Sequence, residues 1–434
     1  MESSFMSPIR LRILWSRIRR TLWFTPALYA VIALLVLSTA PLAGRMLPSD
    51  VNSLIGLDGV YDLLDVLSNS LLAVSIFSLG IMASSLQAAA GAATPRARPL
   101  LTEDRTAQNA ISTFLGGFIY GIVGLVGLST NYYGDEAKVI LFLVTCAVIM
   151  AVIVALIRWV GRLSNLGDVS EVIDLVEQAA DRAFAADAAE PWLGGVSMTE
   201  LPEGRSAVLP DRMGFVQAIN VAELARLADE WEIDLYVAAR PGAYADPNRP
   251  LLLAGQRLDT EQVVLARACF VIGGQRTFEA DPRFAMIVLS ETASRALSPG
   301  VNDPGTAIDV IGTSSRVLAD WAKALEKAKG EVRHRRLHVG RLSPEDVLED
   351  AFRWIARDGA GQLEVQIRLQ RALAALSTCA PQLFGHPARA LSEETLLRAE
   401  QALTFDRDLD RLRAEAARLG FRCPDSPRSA RSAG

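Results

Sequence analysis

The chain has 434 residues, half of them apolar, and a formal net charge of -5. That length and oiliness exclude a single ordinary soluble domain and place part of the chain in a bilayer. The small net charge and the dispersed basic residues argue against nucleic acid as a partner, and Cys146, Cys269, Cys379 and Cys423 lack the spacing of a metal site or a disulfide framework.

Four apolar stretches are long enough to cross the hydrocarbon core as helices: Leu22 to Leu42, Val66 to Ala90, Ala110 to Leu128 and Val139 to Val160. Loop charge sets their orientation, because Lys and Arg stay on the cytoplasmic side. Arg10, Arg12, Arg17, Arg19 and Arg20 precede the first span, Arg96, Arg98 and Arg105 lie between the second and third, and Arg158 and Arg162 close the fourth. The two other loops are acidic, with Asp50, Asp58, Asp62, Asp65, Asp135 and Glu136. This topology predicts a multi-pass inner-membrane protein with both termini in the cytoplasm.

The third span carries Gly117, Gly121 and Gly124 on nearly one face, a spacing at which helix backbones approach closely in lipid. The second span has a matching run of small residues, Ser75, Ser78, Gly80, Ala83, Ser84 and Ala88. Packing within one chain, an oligomer contact and a pore lining all fit that pattern. Between these spans, Thr94, Arg96, Asp104, Arg105 and Gln108 would gather at a cytoplasmic mouth, either as rings of charge around a pore or as ordinary positive-inside anchors.

Beyond the membrane part, apolar residues at Val169, Ile173, Val176 and Ala180 keep the helical period. Residues up to 205 then read as a Pro- and Gly-broken linker. Residues 206–275 form a small mixed α/β module, with strands at Phe215 to Ile219, Leu235 to Ala239 and Leu251 to Ala254 and a helix at Val221 to Trp231. Residues 276–420 return to helix. The segment "EVRHRRLHVGRL" interrupts them as a basic surface stretch, in which His334 and His338 are crowded by arginines that oppose a metal ion. A basic N-terminus (1–20) and a disordered tail (421–434) complete an expected order of membrane domain 21–162, connecting segment 163–205, mixed module and helical domain. The fold class expected is an α-helical membrane protein with four transmembrane helices, followed by a cytoplasmic α/β module and a mainly helical domain.

Twice in the helical domain an Asp precedes a Pro, at Asp281-Pro282 and Asp303-Pro304. Asp accepts a backbone N–H as N-cap, and Pro at the first helical position misses no hydrogen bond, so each pair predicts a helix start. The helix begun at Asp281 must end before Pro299, which makes "SPGVNDP" a helix corner. Ser298, Asn302, Asp303 and Thr306 exceed what a corner needs, so the same residues are candidates for a polar-ligand or cation site, or for an anion site at the helix N-terminus, which the Asp303 charge opposes. On the preceding helix, Glu291 and Arg295 stand at the favourable i, i+4 spacing of an ion pair.

Several stretches together resemble the bacterial predicted-membrane-protein family DUF2254: "TPRARPLLTEDRTAQNAISTFLGGFIYG", "GFVQAINVAELARLAD", "RPGAYADPNRPLLLAG" and "DPRFAMIVLSETASRALSPGVNDPGTAID". The likeness runs to about Trp321 and implies topology rather than chemistry. Glu291 stands where the resemblance leads one to expect an Asp, and "VGRL", Val160 to Leu163, replaces an expected pair of histidines.

The sequence offers no nucleotide-binding glycine loop, metal cluster or catalytic triad, so no catalytic residue, metal or cofactor is assigned. Coupled transport normally needs an ionisable residue within the bilayer, and the spans offer none. A homo-oligomeric channel or pore gated by its cytoplasmic domain remains, with membrane lipid and further copies of the chain as partners. The alternative is a membrane-anchored sensor or scaffold whose cytoplasmic domain binds a protein or small ligand.

Overall fold

A bilayer-length apolar segment satisfies its backbone only by closing its own hydrogen bonds, and the first part of the chain does so as helices. The computed structural model describes residues 24–44, 59–102, 105–130, 135–163, 167–200, 206–328 and 330–422. The chain divides into two units, residues 1–89 with 98–168, and residues 90–97 with 169–434. The expected basic N-terminus, Asp104 and all of the expected tail except Phe421 and Arg422 lie outside the described residues.

The first unit contains α1 (Phe24–Gly44), most of α2 (Gly59–Ala92), the short α3 (Arg98–Thr102), α4 (Arg105–Ser129) and α5 (Asp135–Leu163). Among the described residues three helices are long and apolar enough to cross a membrane, Gly59–Ala89, Thr106–Ser129 and Val139–Leu163. The first expected span falls on α1, in which the described residues include the apolar helical stretch Pro26–Leu35. The second begins earlier than expected: Asp62 and Asp65 are not loop residues but sit in the first turns of α2, where carboxylates favour the positive end of the helix dipole. That start brings Val60 and Leu64, both fully buried, into a core with Leu71, Phe114, Tyr120, Leu141 and Val148.

Gly117, Gly121 and Gly124 face α2. A Cβ on Gly117 would stand 2.6 Å from Leu71 Cδ1, one on Gly124 3.0 Å from Leu64 Cδ1, and one on Gly121 would overlap Ser68 Oγ. The glycine face is thus filled within the chain. Several hydroxyls in these helices have partners: Ser68 Oγ donates to Leu64 O at 2.7 Å, Ser75 Oγ to Leu71 O at 2.6 Å, and Tyr120 Oη lies 3.0 Å from Thr145 Oγ1.

The second unit opens with α6 (Val169–Ala189), whose Val172, Ile173, Val176, Ala180 and Phe184 are buried along one stripe. Eight strands and two helices follow or interleave: β1 (Val196–Met198), β2 (Ser206–Val208), β3 (Gly214–Ile219), α7 (Val221–Trp231), β4 (Leu235–Val237), β5 (Tyr244–Ala245), β6 (Leu252–Ala254), α8 (Thr260–Ala268) and β7 (Phe270–Gly273), with β8 (Leu337–Gly340) far down the chain. The five-stranded sheet has the order β1-β8-β4-β6-β2, parallel across β1, β8 and β4 and antiparallel from β4 to β2. A three-stranded antiparallel sheet has the order β5-β3-β7.

Two segments depart from the sequence reading. The stretch expected to be a linker supplies β1, and the basic "EVRHRRLHVGRL" supplies β8, which is an interior strand rather than a surface stretch. Its alternation explains why: Leu337 and Val339 are fully buried while His338 between them stacks on Tyr236 of the neighbouring strand, ring centroids 4.6 Å apart. The flanking arginines mask a period of two.

The remaining helices are α9 (Pro282–Ala296), α10 (Pro304–Lys327), α11 (Pro344–Asp358), α12 (Leu363–Cys379), α13 (Pro381–Ala402) and α14 (Asp406–Arg418). Both Asp-Pro pairs start helices as expected: Asp281 accepts from the Phe284 amide and Asp303 from the Thr306 amide, each with Pro at the first position. Asp281 does more than cap. It is 1% exposed, takes two hydrogen bonds from Arg276 at 2.6 and 2.9 Å, and lies against Gly242, whose φ of 91° and close approach leave no room for a Cβ.

A buried ion pair ties the α/β part to the helices. Arg240 donates to Asp187 at 2.6 Å and to the carbonyls of Pro191 and Gly340, while Trp321 Nε1 donates to the other Asp187 oxygen at 3.1 Å. Burial pushes the Asp187 carboxyl above its ordinary range, against the Arg240 guanidinium and the Trp321 N–H that favour its charge.

Candidate functional site

Local chemistry shapes the turn after α2. Pro95 cannot continue a helix as a donor, and a 3-10 turn over Pro95–Ala97 follows. Thr94, 2% exposed, organises it: its carbonyl accepts from the Ala97 amide at 3.2 Å and its Oγ1 from the Arg96 amide at 3.2 Å. The same hydroxyl donates to Glu291 Oε2 on α9 at 2.9 Å, and Arg96 Nη1 donates to Glu291 Oε1. One carboxylate therefore holds both ends of a three-residue turn that belongs, with α9, to the second unit.

This replaces the ion pair expected within α9. The Glu291 carboxylate is taken by Thr94 and Arg96, so the i, i+4 partner Arg295 is left exposed, and its guanidinium makes no hydrogen bond or ion pair among the described residues. Helix spacing allowed the pair, but a half-buried carboxylate is better satisfied by a buried hydroxyl and a second cation together.

A cleft of about 490 Å³ opens beside the turn, lined by Ala93, Thr94, Pro95, Glu291, Ser294, Arg295, Ser298, Trp354 and Arg357. Ser294 donates to Asp358, which also receives Arg357 at 2.7 and 3.0 Å. Burial alone would raise the Asp358 carboxyl, but the hydrogen bonds from Arg357 and Ser294 hold it below the ordinary range. Trp354 and Arg357 went unnoticed in the sequence; they stand three apart on α11, a helix whose apolar face, Val347, Leu348, Ala351, Phe352 and Ile355, turns the other way.

Of the corner residues, only Ser298 lines the cleft. Its hydroxyl donates to Arg295 O at 2.6 Å. Asn302 takes the left-handed conformation at φ 52° and accepts from Gln362 at 3.4 Å. Asp303 accepts from both the amide and the hydroxyl of Thr306, at 3.1 and 2.6 Å, bonds that hold its carboxyl below the ordinary range. Because the folded pKa lies below the unfolded one, the cap's contribution is present above about pH 4 and is lost as pH falls through the folded value. Asp303→Ala should cost about 1 kcal/mol at neutral pH. The gap between the melting points should narrow in acid as the charge-dependent part of the cap is lost; a gap that does not change with pH would contradict it.

Of the expected mouth residues, Thr94 and Arg96 are held by Glu291 in what acts as a latch on the turn, Gln108 donates to Thr102 O at 2.5 Å, and Arg105 starts α4 with its side chain outside the described residues. The structure therefore brings Glu291, Arg295 and Ser298 to one cleft and Arg96 to its edge.

No curated protein and no solved structure matches the chain. The profile of a family described as predicted membrane protein (DUF2254) matches residues 19–375. That span covers most of the chain, and the protein belongs to the DUF2254 family of predicted membrane proteins.

Proposed function

We propose that the protein is a four-span inner-membrane sensor with both termini in the cytoplasm, whose second unit binds a small ligand in the cleft and passes its occupancy to the membrane helices through the turn after α2. The observation that carries this reading is the Glu291 carboxylate, which accepts from Thr94 and Arg96 of that turn and also lines the cleft. A ligand entering there changes the surroundings of the group that holds the turn, and the turn is continuous with the apolar helix Gly59–Ala89. A ligand shifts such a switch only by its differential affinity for the held and released states. The arginine-rich sequences before the first span and between the second and third support the cytoplasmic placement.

A homo-oligomeric channel gated by the same unit is the second reading, and Ser78 favours it. Its hydroxyl is buried in α2 with no partner among the described residues, whereas Ser68 and Ser75 bond to their own helix. In the channel reading a water or a second copy of the chain would supply its acceptor.

Glu291→Gln tests the coupling. The amide keeps the shape and loses the charge, which weakens the hold by about 1 kcal/mol for a half-exposed pair. Hydrogen exchange of the full-length protein in lipid nanodiscs should then show about fivefold less protection over 94–97, and unchanged protection would remove the latch. Planar-bilayer recordings of the same two proteins separate the readings: silence with inserted protein supports the sensor, and discrete currents altered by Glu291→Gln support the channel.

A further inference from the structure

We propose that the cleft binds a phosphate group, carried either by the headgroup of an anionic membrane lipid or by a free phosphate compound, with Arg295 as its principal ligand. This assignment rests on the sensor reading above. Within the cleft Glu291 is already compensated by Thr94 and Arg96, and Asp358 compensates Arg357 just outside it. Arg295 is the lining cation left without an ion-pair partner among the described residues, and it is exposed. An arginine in the last turn of a helix favours the helix dipole and needs no ligand for that. That role does not account for Trp354 and Arg357 lining the same cleft across from it on α11.

The chemistry selects an oxyanion. A guanidinium presents five N–H donors in a planar fork that matches two phosphate oxygens, and it holds its charge at every physiological pH. Arg357 spends two of its nitrogens on Asp358 and has a third to offer. The Trp354 indole adds a flat apolar wall and one N–H. Ala93 and Pro95 complete the lining only a few residues after the apolar segment that ends at Ala89, so the chain itself keeps this wall within reach of a lipid headgroup.

The test uses the full-length protein in detergent and four forms: wild type, Arg295→Ala, Arg295→Lys and Glu291→Gln. Retention of phosphatidylglycerol and of diacylglycerol, which lacks phosphate, is read by native mass spectrometry, and binding of inorganic phosphate by calorimetry. Wild type should retain phosphatidylglycerol over diacylglycerol, with affinity falling about tenfold in Arg295→Ala and less in Arg295→Lys, which keeps the charge without the fork. Loss confined to the lipid assigns a headgroup, and loss for inorganic phosphate as well assigns a free phosphate compound; both uphold the site. Equal binding by wild type and Arg295→Ala, or no phosphate-dependent binding by wild type, overturns it. Because the Arg295 guanidinium makes no bond within the described residues, a melting point that stays near wild type shows that Arg295→Ala is folded. Glu291→Gln removes a negative charge from the cleft wall and loosens the turn, so it should bind phosphate at least as tightly as wild type; if binding persists while ligand leaves exchange over 94–97 unchanged in wild type, the coupling fails and the ligand site stands.

Discussion

Arg240→Ala should lower the stability of the protein by about 3–5 kcal/mol, because it removes one partner of a buried pair and leaves Asp187, with a 5% exposed side chain, without its cation. The loss has further parts, since Arg240 also satisfies the carbonyls of Pro191 and Gly340. Melting of the full-length protein in detergent checks this. A double variant, Arg240→Met with Asp187→Leu, should recover part of the loss, since a well-packed apolar pair often replaces a buried ion pair at little cost. Recovery stays partial because Trp321 Nε1 loses its acceptor. A single variant as stable as wild type would show that the pair is not what joins α6, the sheet and α10.

Gly121→Leu is the second large effect expected. The new Cβ would overlap Ser68 Oγ and stand 3.3 Å from Leu64 O, backbone that cannot move aside without shifting α2. Overpacking of this kind costs about 1–3 kcal/mol, and more where the obstacle is backbone. Gly121→Ala should share the clash at smaller cost. The consequence for experiment is specific: a change in assembly or conductance in Gly121→Leu has to be read beside its melting point, because the substitution disturbs a face already filled within the chain. If the variant melts like wild type, α2 and α4 do not pack through this glycine.

Local chemistry was readable. Asp281 and Asp303 each sit before a proline, a cap needs only its own neighbours, and both helices begin there. The helix at Val221–Trp231 also appears with the ends its periodicity predicts, since Asn220 caps it and Leu224, Leu227 and Ala228 turn one face inward. The strand positions at Phe215, Leu235 and Leu252 were legible for the same reason, a period of two or a short apolar run.

What stayed hidden depends on contacts between distant residues. Strands of three and four residues such as β1 and β8 carry too few positions for a period to show, and they exist because β8 finds β4 and β1 on either side. Glu291 had a plausible partner one turn away in Arg295, and only the fold brings Thr94, 197 residues earlier, to its carboxylate. Trp354 on α11 becomes part of a cleft for the same reason. Helix spacing states which side chains are neighbours on one helix, and is silent on which neighbour wins when a third element arrives.

The order in which the chain is made gives the latch a further consequence. Arg96 leaves the ribosome 195 residues ahead of Glu291, which at about 5–20 residues per second is a delay of about 10–40 s. During that interval the turn after α2 exists without its carboxylate. A recombinant fragment beginning at Val169 meets the mirror-image problem: it carries Glu291 and Trp354 but lacks Ala93, Thr94 and Pro95, so its cleft is missing a wall. Such a fragment is a poor stand-in for ligand screening, and supplying residues 90–97 as a separate peptide is the direct way to complete it.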